Sequence, residues 1–215
     1  MTLKILGFPV GPLQANAYIA ICEDTSRCAL VDPGEEAELL LAAVVEQETT
    51  VESILLTHAH LDHIGGVAAV KRETGVPVCL HPADLILYKA APLQAHSFGL
   101  EIETPPPPDA ELEEGQTIKI GSCELEVRHT PGHSPGHVCL VGDGFALVGD
   151  CVFAGSIGRS DLPGGDGRTL IESINERIMT LPDDTVLYSG HGPATTVGRE
   201  RTTNPFLTGV IGWNG

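Results

Sequence analysis

Several features that define broad protein classes are scarce in this 215-residue sequence. Aromatic residues make up only 4% of it, so the core must be mainly aliphatic. Acidic residues outnumber basic ones 29 to 12, and the net charge of -17 argues against nucleic acid or an anionic membrane as the main partner. No apolar run is long enough to span a membrane, and the N-terminus lacks the hydrophobic region of a signal peptide. We therefore expect a soluble, cytoplasmic protein.

Paired cysteine motifs are also absent. The six cysteines are scattered without a C-x-x-C pair, and in a chain of this length without a signal peptide a disulfide framework is not expected. We interpret most of them as reduced, buried, small hydrophobic residues. They are Cys22, Cys28, Cys79, Cys123, Cys139 and Cys151.

The remaining composition is that of an ordinary globular protein, with 42% hydrophobic and 19% charged residues. This length suffices for one substantial core or two small domains. Four consecutive prolines within residues 104–109 predict a stiff, extended connector. Since neither side of that connector carries a complete set of candidate ligands, we predict a single domain over residues 1–215.

Hydrophobic spacing predicts alternating strands and helices, which favours an α/β fold with layered sheets and helices. The predicted strands are 3–8, 17–22, 28–32, 53–57, 76–80, 117–120, 123–129, 138–142, 145–149 and 185–189. The predicted helices are 35–48, 64–74, 81–90, 168–180 and 196–203.

A dense group of potential metal ligands follows the predicted strand 53–57. His58 and His60 are two residues apart, so an extended backbone directs both imidazoles to one side. Asp62 and His63 come next, where the chain turns into a predicted helix. A lone histidine is usually structural and Asp62 alone could cap a helix, but four such residues within six positions indicate a metal site. Imidazole and carboxylate without thiolate are donors suited to zinc, iron or manganese.

Three further candidates follow predicted strands in the second half of the chain. His133 lies in a loop rich in glycine and proline, Asp150 follows the strand 145–149, and His191 follows the strand 185–189. Strand ends that converge at one sheet edge are common places for binding sites. The other histidines outside this loop, His81 and His96, we interpret as surface residues, and His129 as a core or surface residue.

These motifs, in this order, resemble those of the metallo-β-lactamase superfamily. H-x-H-x-D-H matches residues 58–63, and T-P-G-H, which ends at His133, matches the hydrolases that resemble glyoxalase II. The resemblance implies an αββα sandwich, in which two mixed β-sheets are flanked by helices. It also implies two divalent metal ions, zinc first and iron or manganese as alternatives. One ion would take His58, His60, His133 and Asp150, and the other Asp62, His63, His191 and Asp150; His137 would support the site without binding metal.

The chemistry implied by this resemblance is hydrolysis by a hydroxide shared between two cations roughly 3.5–4 Å apart. Asp62 and Asp150 would act catalytically by holding the metals and orienting the hydroxide. A thiolate leaving group needs little help from a general acid, which suits a site without an obvious extra acid. The resemblance implies a small-molecule thioester as the substrate.

A glycine-rich segment over residues 153–165 indicates which branch of the superfamily the sequence resembles. Its G-S-I-G-R-S-D-x-P-G-G pattern resembles the short, single-domain branch of glyoxalase II-like hydrolases, as does Asn204-Pro205-Phe206. The segment could be a flexible connector, but it could also bring Gly158 and Arg159 to the substrate. The leading hypothesis is hydrolysis of a hydroxyacylglutathione, such as S-lactoylglutathione, to a 2-hydroxy acid and glutathione.

Three alternatives remain open. A persulfide dioxygenase with one iron also carries H-x-H-x-D-H, although the glycine-rich segment argues against it. A β-lactamase is disfavoured because Asp150 is present, and a metal-binding module without activity is disfavoured by the complete ligand set. Because only 24 residues follow His191, we expect no room for the helical domain that holds the glutathione tail in two-domain glyoxalase II enzymes.

Overall fold

A computed structural model describes residues 3–210 and contains two six-stranded sheets and one small hairpin. The first sheet has the order β1-β2-β3-β4-β5-β6. Its first three strands are antiparallel neighbours, whereas β3 to β6 run parallel to one another. The strands are β1 (Lys4–Val10), β2 (Ala15–Cys22), β3 (Arg27–Val31), β4 (Thr50–Leu55), β5 (Val78–Leu80) and β6 (Ala110–Glu111).

The second sheet is also mixed, with the order β14-β13-β10-β9-β8-β7. Four of its strands form an antiparallel meander, and β13 joins β10 in parallel. The strands are β7 (Thr117–Ile120), β8 (Cys123–His129), β9 (Val138–Gly142), β10 (Phe145–Gly149), β13 (Val186–Ser189) and β14 (Thr195–Thr196). A separate hairpin of β11 (Val152–Phe153) and β12 (Ser156–Ile157) follows β10.

Helices cover the outer faces of both sheets. They are α1 (Ala37–Glu46), α2 (Leu61–Ile64), α3 (Val67–Thr74), α4 (Leu85–Ser97), α5 (Gly167–Ser173) and α6 (Val197–Thr203). A π-helical turn over Ile174–Ile178 continues α5. No helix in residues 3–210 is long and apolar enough to cross a membrane.

The core is divided into layers, as the alternation along the strands requires. One cluster packs the two sheets face to face and includes Val31, Leu55 and Leu140. A second lies between the first sheet and its helices, and a third between the second sheet and α5 and α6. The largest fully buried side chains are aliphatic apart from Tyr88, in keeping with the scarcity of aromatic residues. The predicted αββα sandwich of two mixed sheets is confirmed.

Two predicted helices have different bounds in the structure. The helix predicted over 64–74 is two helices, because the chain breaks at Gly65-Gly66, so Asp62 and His63 already lie on a helical turn. The helix predicted over 81–90 begins as a 3₁₀ turn at Pro82–Asp84 and runs on to Ser97. The predicted end near Ala90 is wrong, because α4 continues through Pro92, although proline removes a helical hydrogen bond.

The proline-rich segment is an extended connector. The hydroxyl of Tyr88 donates to the carbonyl of Pro106 at 2.8 Å, which ties the segment to α4. The segment leads directly into β6, whose pairing with β5 completes the first sheet.

Candidate metal centre

The seven candidate ligands lie in four loops. Each loop follows the C-terminal end of a strand. His58, His60, Asp62 and His63 follow β4, His133 follows β8, Asp150 follows β10 and His191 follows β13. The two sheets face each other across the core, so these strand ends converge at one edge of the sandwich. The structure brings all seven side chains into one cluster.

One part of this cluster, called here the first trio, consists of His58, His60 and His133. Their candidate ligand nitrogens lie within 4.8 Å of one another, and the three side chains are buried. The His60 Nδ1 and His133 Nε2 atoms are only 2.8 Å apart. Two imidazole nitrogens that face each other this closely are arranged to share one hydrogen or one cation.

The other part, called here the second trio, consists of Asp62, His63 and His191. Its candidate ligand atoms also lie within 4.8 Å of one another. An Asp62 oxygen lies 3.2 Å from His191 Nε2 and 3.8 Å from His63 Nε2. This trio is more exposed than the first, since 30% of the His191 side chain is open to solvent. Solvent therefore reaches the cluster from this side.

Asp150 lies between the two trios. Its Oδ1 is 3.4 Å from His63 Nε2, and its Oδ2 is 3.6 Å from both His133 Nε2 and His191 Nε2. One carboxylate thus faces ligands of both trios. A Cβ at Gly190 would collide with Oδ1 of Asp150, so the loop after β13 can approach this closely only with glycine.

The hydrogen bonding of the cluster tests whether it fits a cation. Five fully buried side-chain nitrogens or oxygens in residues 3–210 have no hydrogen-bond partner, and four of them belong to the cluster. They are His58 Nε2, His60 Nε2, His63 Nε2 and Asp150 Oδ1; the fifth is Ser53 Oγ. Each such group costs about 1–3 kcal/mol when nothing replaces water around it. Imidazole nitrogens and a carboxylate oxygen concentrated in one place are the groups that a divalent cation would satisfy.

Asp32 fixes the orientation of two candidate ligands from behind. Its carboxylate accepts from the Thr57 N–H at 2.7 Å and the Thr57 hydroxyl at 2.5 Å, and it lies 3.1 Å from His63 Nδ1. Because the Thr57 hydroxyl donates to Asp32, it accepts from His58 Nδ1 at 3.0 Å. Both rings therefore carry their proton on Nδ1 and present Nε2 to the cluster. Asp32 is close enough to be a ligand itself, but these bonds already occupy its oxygens.

Two backbone contacts orient the ligands from the second half. The Arg159 carbonyl accepts from His133 Nδ1 at 2.7 Å, which leaves Nε2 of that ring for the cluster. His137 accepts from the Asp150 N–H at 3.2 Å, and its Nδ1 donates to the Thr130 hydroxyl at 2.8 Å. His137 thus lies behind the ligands, where it holds the backbone of Asp150.

Asp84 ties together the two loops that supply the first trio. Its fully buried carboxylate accepts from the Ala59 N–H, between His58 and His60, and from the hydroxyl of Ser134 and the N–H of Gly136, both beside His133. Sequence patterns did not identify this role, because Asp84 resembles an ordinary residue at the start of a helix. The three donors lie 25, 50 and 52 residues away along the chain.

The first sheet holds the loop that carries His191. The Asn16 side chain donates to the carbonyls of Ser189 and Gly192, both at 2.9 Å, and the Tyr18 hydroxyl donates to the Ser189 carbonyl at 2.6 Å. Both residues lie on β2, so one sheet positions a ligand that belongs to the other. Neither residue was singled out from the sequence.

The charges within the cluster follow from burial and from the arrangement of the carboxylates. Burial lowers the pKa of His58 well below its ordinary value and that of His60 to about 3, and neighbouring imidazoles act in the same direction. Burial alone would raise the pKa of Asp150, but His63, His133 and His191 together lower it. Burial would likewise lower the pKa of His63, but Asp150 and Asp62 hold it well above its ordinary value. The first trio therefore offers neutral imidazoles. In the second trio the raised pKa of His63 favours its protonated form, and a bound cation would displace that proton.

The cluster forms the floor of a cavity of about 660 Å³. Its walls are mostly apolar, and Arg159 is the one lysine or arginine among the described residues that line it. The polar floor consists of His60, Asp62, His133, Asp150 and His191, and the walls include Pro12, Leu13, Leu61, Phe98, Leu100, Phe153, Ile157 and Leu162.

The two residues predicted to bind substrate occupy different environments. Arg159 lines the cavity, but its side chain is 60% exposed, and its guanidinium pairs with Asp161 through two contacts of 2.7 and 2.8 Å. Gly158 is buried, and a Cβ there would collide with the Asp150 carbonyl. Its N–H lies 3.3 Å from the Cys151 carbonyl. These packing contacts account for a glycine at position 158, and its contact with a substrate stays a prediction.

The histidines that we did not assign to the site lie outside it. His81 stacks on His129 with ring centroids 4.2 Å apart, and His129 Nε2 lies 2.9 Å from the Pro135 carbonyl. His96 is an exposed residue of α4.

Comparison with known families agrees with this geometry. The family model described as the metallo-beta-lactamase superfamily matches residues 10–191, which include all seven candidate ligands. The chain belongs to the metallo-β-lactamase superfamily. Its fold is the metallo-β-lactamase fold, and the cluster is the histidine and aspartate metal-binding cluster of a metallohydrolase.

Three similar proteins within this superfamily carry different descriptions. Hydroxyacylglutathione hydrolase GloC of Haemophilus influenzae is 38% identical over 96% of this chain and 98% of its own length. The BLEG-1 B3 metallo-beta-lactamase is 40% identical, with a TM-score of 0.89 over 95% of this chain and all of its own. TTHA1623, solved in a di-iron-bound form, is 46% identical, with a TM-score of 0.87 over 94% of this chain and all of its own.

The position of Asp32 leads to a prediction about metal affinity. In Asp32→Asn the amide has one acceptor oxygen, so it can no longer accept both from the Thr57 N–H at one position and from the Thr57 hydroxyl and His63 Nδ1 at the other. Either arrangement leaves an N–H group facing a donor, so the bonds that fix the two rings are weakened. We expect metal affinity to fall about 10- to 100-fold, as measured by competition with a chromogenic chelator. Asp109→Asn is the matched control, because that carboxylate pairs with Lys71 on the surface. Equal affinities in the two variants would show that Asp32 does not orient the ligands.

Proposed function

We propose that this metallohydrolase cleaves thioesters of the hydroxyacylglutathione type, such as S-lactoylglutathione, to a 2-hydroxy acid and a thiol. The observation that carries the proposal is the position of Asp150, whose two oxygens face ligands of both trios. Such a carboxylate suits a site for two cations that act together on one carbonyl. The hydroxyacylglutathione hydrolase among the similar proteins and the glycine-rich segment after Asp150 support the same activity.

The proposed cofactors are two divalent metal ions. His58, His60, His133 and Asp150 would hold one, and Asp62, His63, His191 and Asp150 the other. Zinc suits this donor set, and the di-iron form of TTHA1623 makes iron a candidate beside manganese. Bound cations would polarise the acyl carbonyl and acidify water.

The side chains of the site have separate tasks in this proposal. Asp62 lies at the open side of the cluster and lines the cavity, so its carboxylate can orient attacking water and accept its proton. Asp150 is more deeply placed and holds the two halves of the site in register. Cleavage of a thioester releases a thiolate, which leaves without being protonated. The apolar walls therefore do not have to provide a general acid.

The cavity walls favour a compact, largely apolar substrate. Leu13, Phe98 and Phe153 surround the polar floor and can bury an acyl group and the sulfur. The glutathione tail carries two carboxylates, whereas the one arginine in the walls is already paired with Asp161. The partner that we propose is therefore a small thioester rather than a nucleic acid or a membrane.

A β-lactamase activity is the second candidate, because BLEG-1 is described as a B3 metallo-beta-lactamase. A persulfide dioxygenase would use one iron, and the complete second trio gives no reason for a single metal. Assays of one metal-analysed preparation on S-lactoylglutathione, on a β-lactam and on glutathione persulfide with oxygen uptake test the proposal. Thioester hydrolysis should exceed the other two activities, and a larger kcat/KM on either of the others would overturn it.

The first prediction concerns metal content. We expect two metal ions per chain by elemental analysis of the fully active protein. His58→Ala should remove mainly one ion and His191→Ala mainly the other, whereas Asp150→Ala should weaken both because its carboxylate faces both trios. His96→Ala is the control, since that histidine is exposed on α4. One metal ion in the fully active protein would contradict the binuclear site.

The second prediction concerns Arg159. If its guanidinium leaves Asp161 to bind the substrate, Arg159→Ala should lower kcat/KM by about tenfold, or roughly 1.4 kcal/mol, without loss of metal. Arg168→Ala is the matched control, because this exposed arginine pairs with Glu172 away from the cluster. Identical kinetics for the two variants would return Arg159 to a purely structural role.

The third prediction concerns the thiol part of the substrate. Remote binding energy normally supports the reaction, but the walls offer the glutathione tail few cationic contacts, and the net charge of -17 repels it at long range. We expect only a modest preference for lactoylglutathione over a truncated thioester, and a KM for lactoylglutathione that is no worse at moderate salt. Steady-state kinetics at two ionic strengths measure both. A strong preference for the full tail that collapses with salt would reveal a cationic site for it.

A further inference from the structure

A second group of reactive side chains lies at the opposite end of the sandwich from the metal centre. The Sγ atoms of Cys22 and Cys123 are 3.1 Å apart, although the two residues are 101 positions apart in the sequence. Cys22 ends β2 in the first sheet, and Cys123 begins β8 in the second. Since β2 starts at Ala15, which bridges to His191, the thiol pair lies a strand length of about 23 Å from that ligand.

We propose that Cys22 and Cys123 form a redox-active pair that closes into a disulfide and links the two sheets covalently. A disulfide has an S–S length of about 2.05 Å, so each sulfur needs to move only about 0.5 Å. The proposal is independent of the substrate proposed above.

The surroundings of the pair divide its two members into a nucleophile and a resolving thiol. Cys22 Sγ lies 3.3 Å from the Ser122 hydroxyl, and the S–H of Cys123 donates to it. Burial would raise the pKa of Cys22, but hydrogen bonds from Ser122, Thr25 and Cys123 lower it to about 6. Burial and the neighbouring Cys22 raise the pKa of Cys123 to about 11. At neutral pH Cys22 is therefore the thiolate and Cys123 the proton donor.

The pair lies just beneath the surface. It is covered by the exposed turn at residues 23–26 and by the turn Gly121-Ser122. Gly121 has a φ of +57°, and a Cβ there would collide with the Thr25 hydroxyl, so the two turns pack directly against each other. Separation of these turns admits a small oxidant without opening the core.

The oxidant that we propose is a peroxide. The Cys22 thiolate attacks one peroxide oxygen, so that an S–O bond forms, the O–O bond breaks and a sulfenic acid results. The sulfur of Cys123 then attacks the sulfenic sulfur, so that the S–S bond forms and the S–O bond breaks. The oxygen leaves as water with the proton of Cys123. In total two thiols are oxidised and one hydrogen peroxide is reduced to two waters.

The disulfide should stabilise the protein without changing the metal centre. A cross-link that closes so long a loop restricts the unfolded chain strongly. Treatment of the metal-loaded protein with a small excess of hydrogen peroxide should give a cross-linked Cys22–Cys123 peptide in a non-reducing mass map. It should also raise Tm by about 5 °C or more, and dithiothreitol should reverse both effects.

Two variants complete the experiment. Cys22→Ser should lose the cross-link and the rise in Tm, whereas Cys28→Ser, which changes another buried cysteine of the same sheet, should keep both. If Cys22→Ser does not fold, the peptide map of the wild-type protein decides alone. The absence of a Cys22–Cys123 peptide after peroxide treatment, or a disulfide between other cysteines, would overturn the proposal. Metal content should be the same before and after oxidation.

Discussion

The buried carboxylate of Asp150 is the feature on which the arrangement of the site depends. It lies between two trios of ligands, and the histidines around it lower its pKa although burial alone would raise it. A carboxylate in this position would be costly without nearby positive charge. Part of the compensation comes from the imidazoles of His63, His133 and His191, and bound cations would supply the rest. The negative charge of Asp150 therefore attracts the surrounding imidazoles, and it would also favour the binding of cations.

Carboxylates outside the cluster prepare its ligands. Asp32 sets the tautomers of two histidines, one directly and one through Thr57, while Asp84 joins the loops on either side of the first trio. Neither carboxylate needs to touch a metal ion to matter. Without such partners the rings could rotate and satisfy their nitrogens elsewhere, so much of the metal affinity is built into residues behind the site.

The sequence predicted the site better than it predicted these supports, for a physical reason. His58, His60, Asp62 and His63 are adjacent in sequence, and the resemblance to a family placed His133, Asp150 and His191 after three further strands. The roles of Asp32 and Asp84 depend on contacts across 25 to 52 residues, which no local pattern reveals. The close approach of Gly158 to the Asp150 carbonyl is likewise a contact that the motif alone does not reveal, and its predicted contact with a substrate stays a prediction. The helix predicted to end near Ala90 continues through Pro92, where the packing of the buried side chains Ala91 and Ala95 outweighs the local preference of proline.

The two ends of strand β2 contribute to different parts of the molecule. Strand β2 contributes Asn16 and Tyr18 to the loop of His191 at one end and Cys22 to the thiol pair at the other. A rigid strand of this kind allows the distant end to be cross-linked while the ligand geometry is held by local hydrogen bonds. The cavity walls above the metal cluster are less enclosed, since Leu13 is 50% exposed and Phe98 is 63% exposed. Substitutions there can change the substrate at little cost to the fold, because the metal ligands and their supports are buried beneath them.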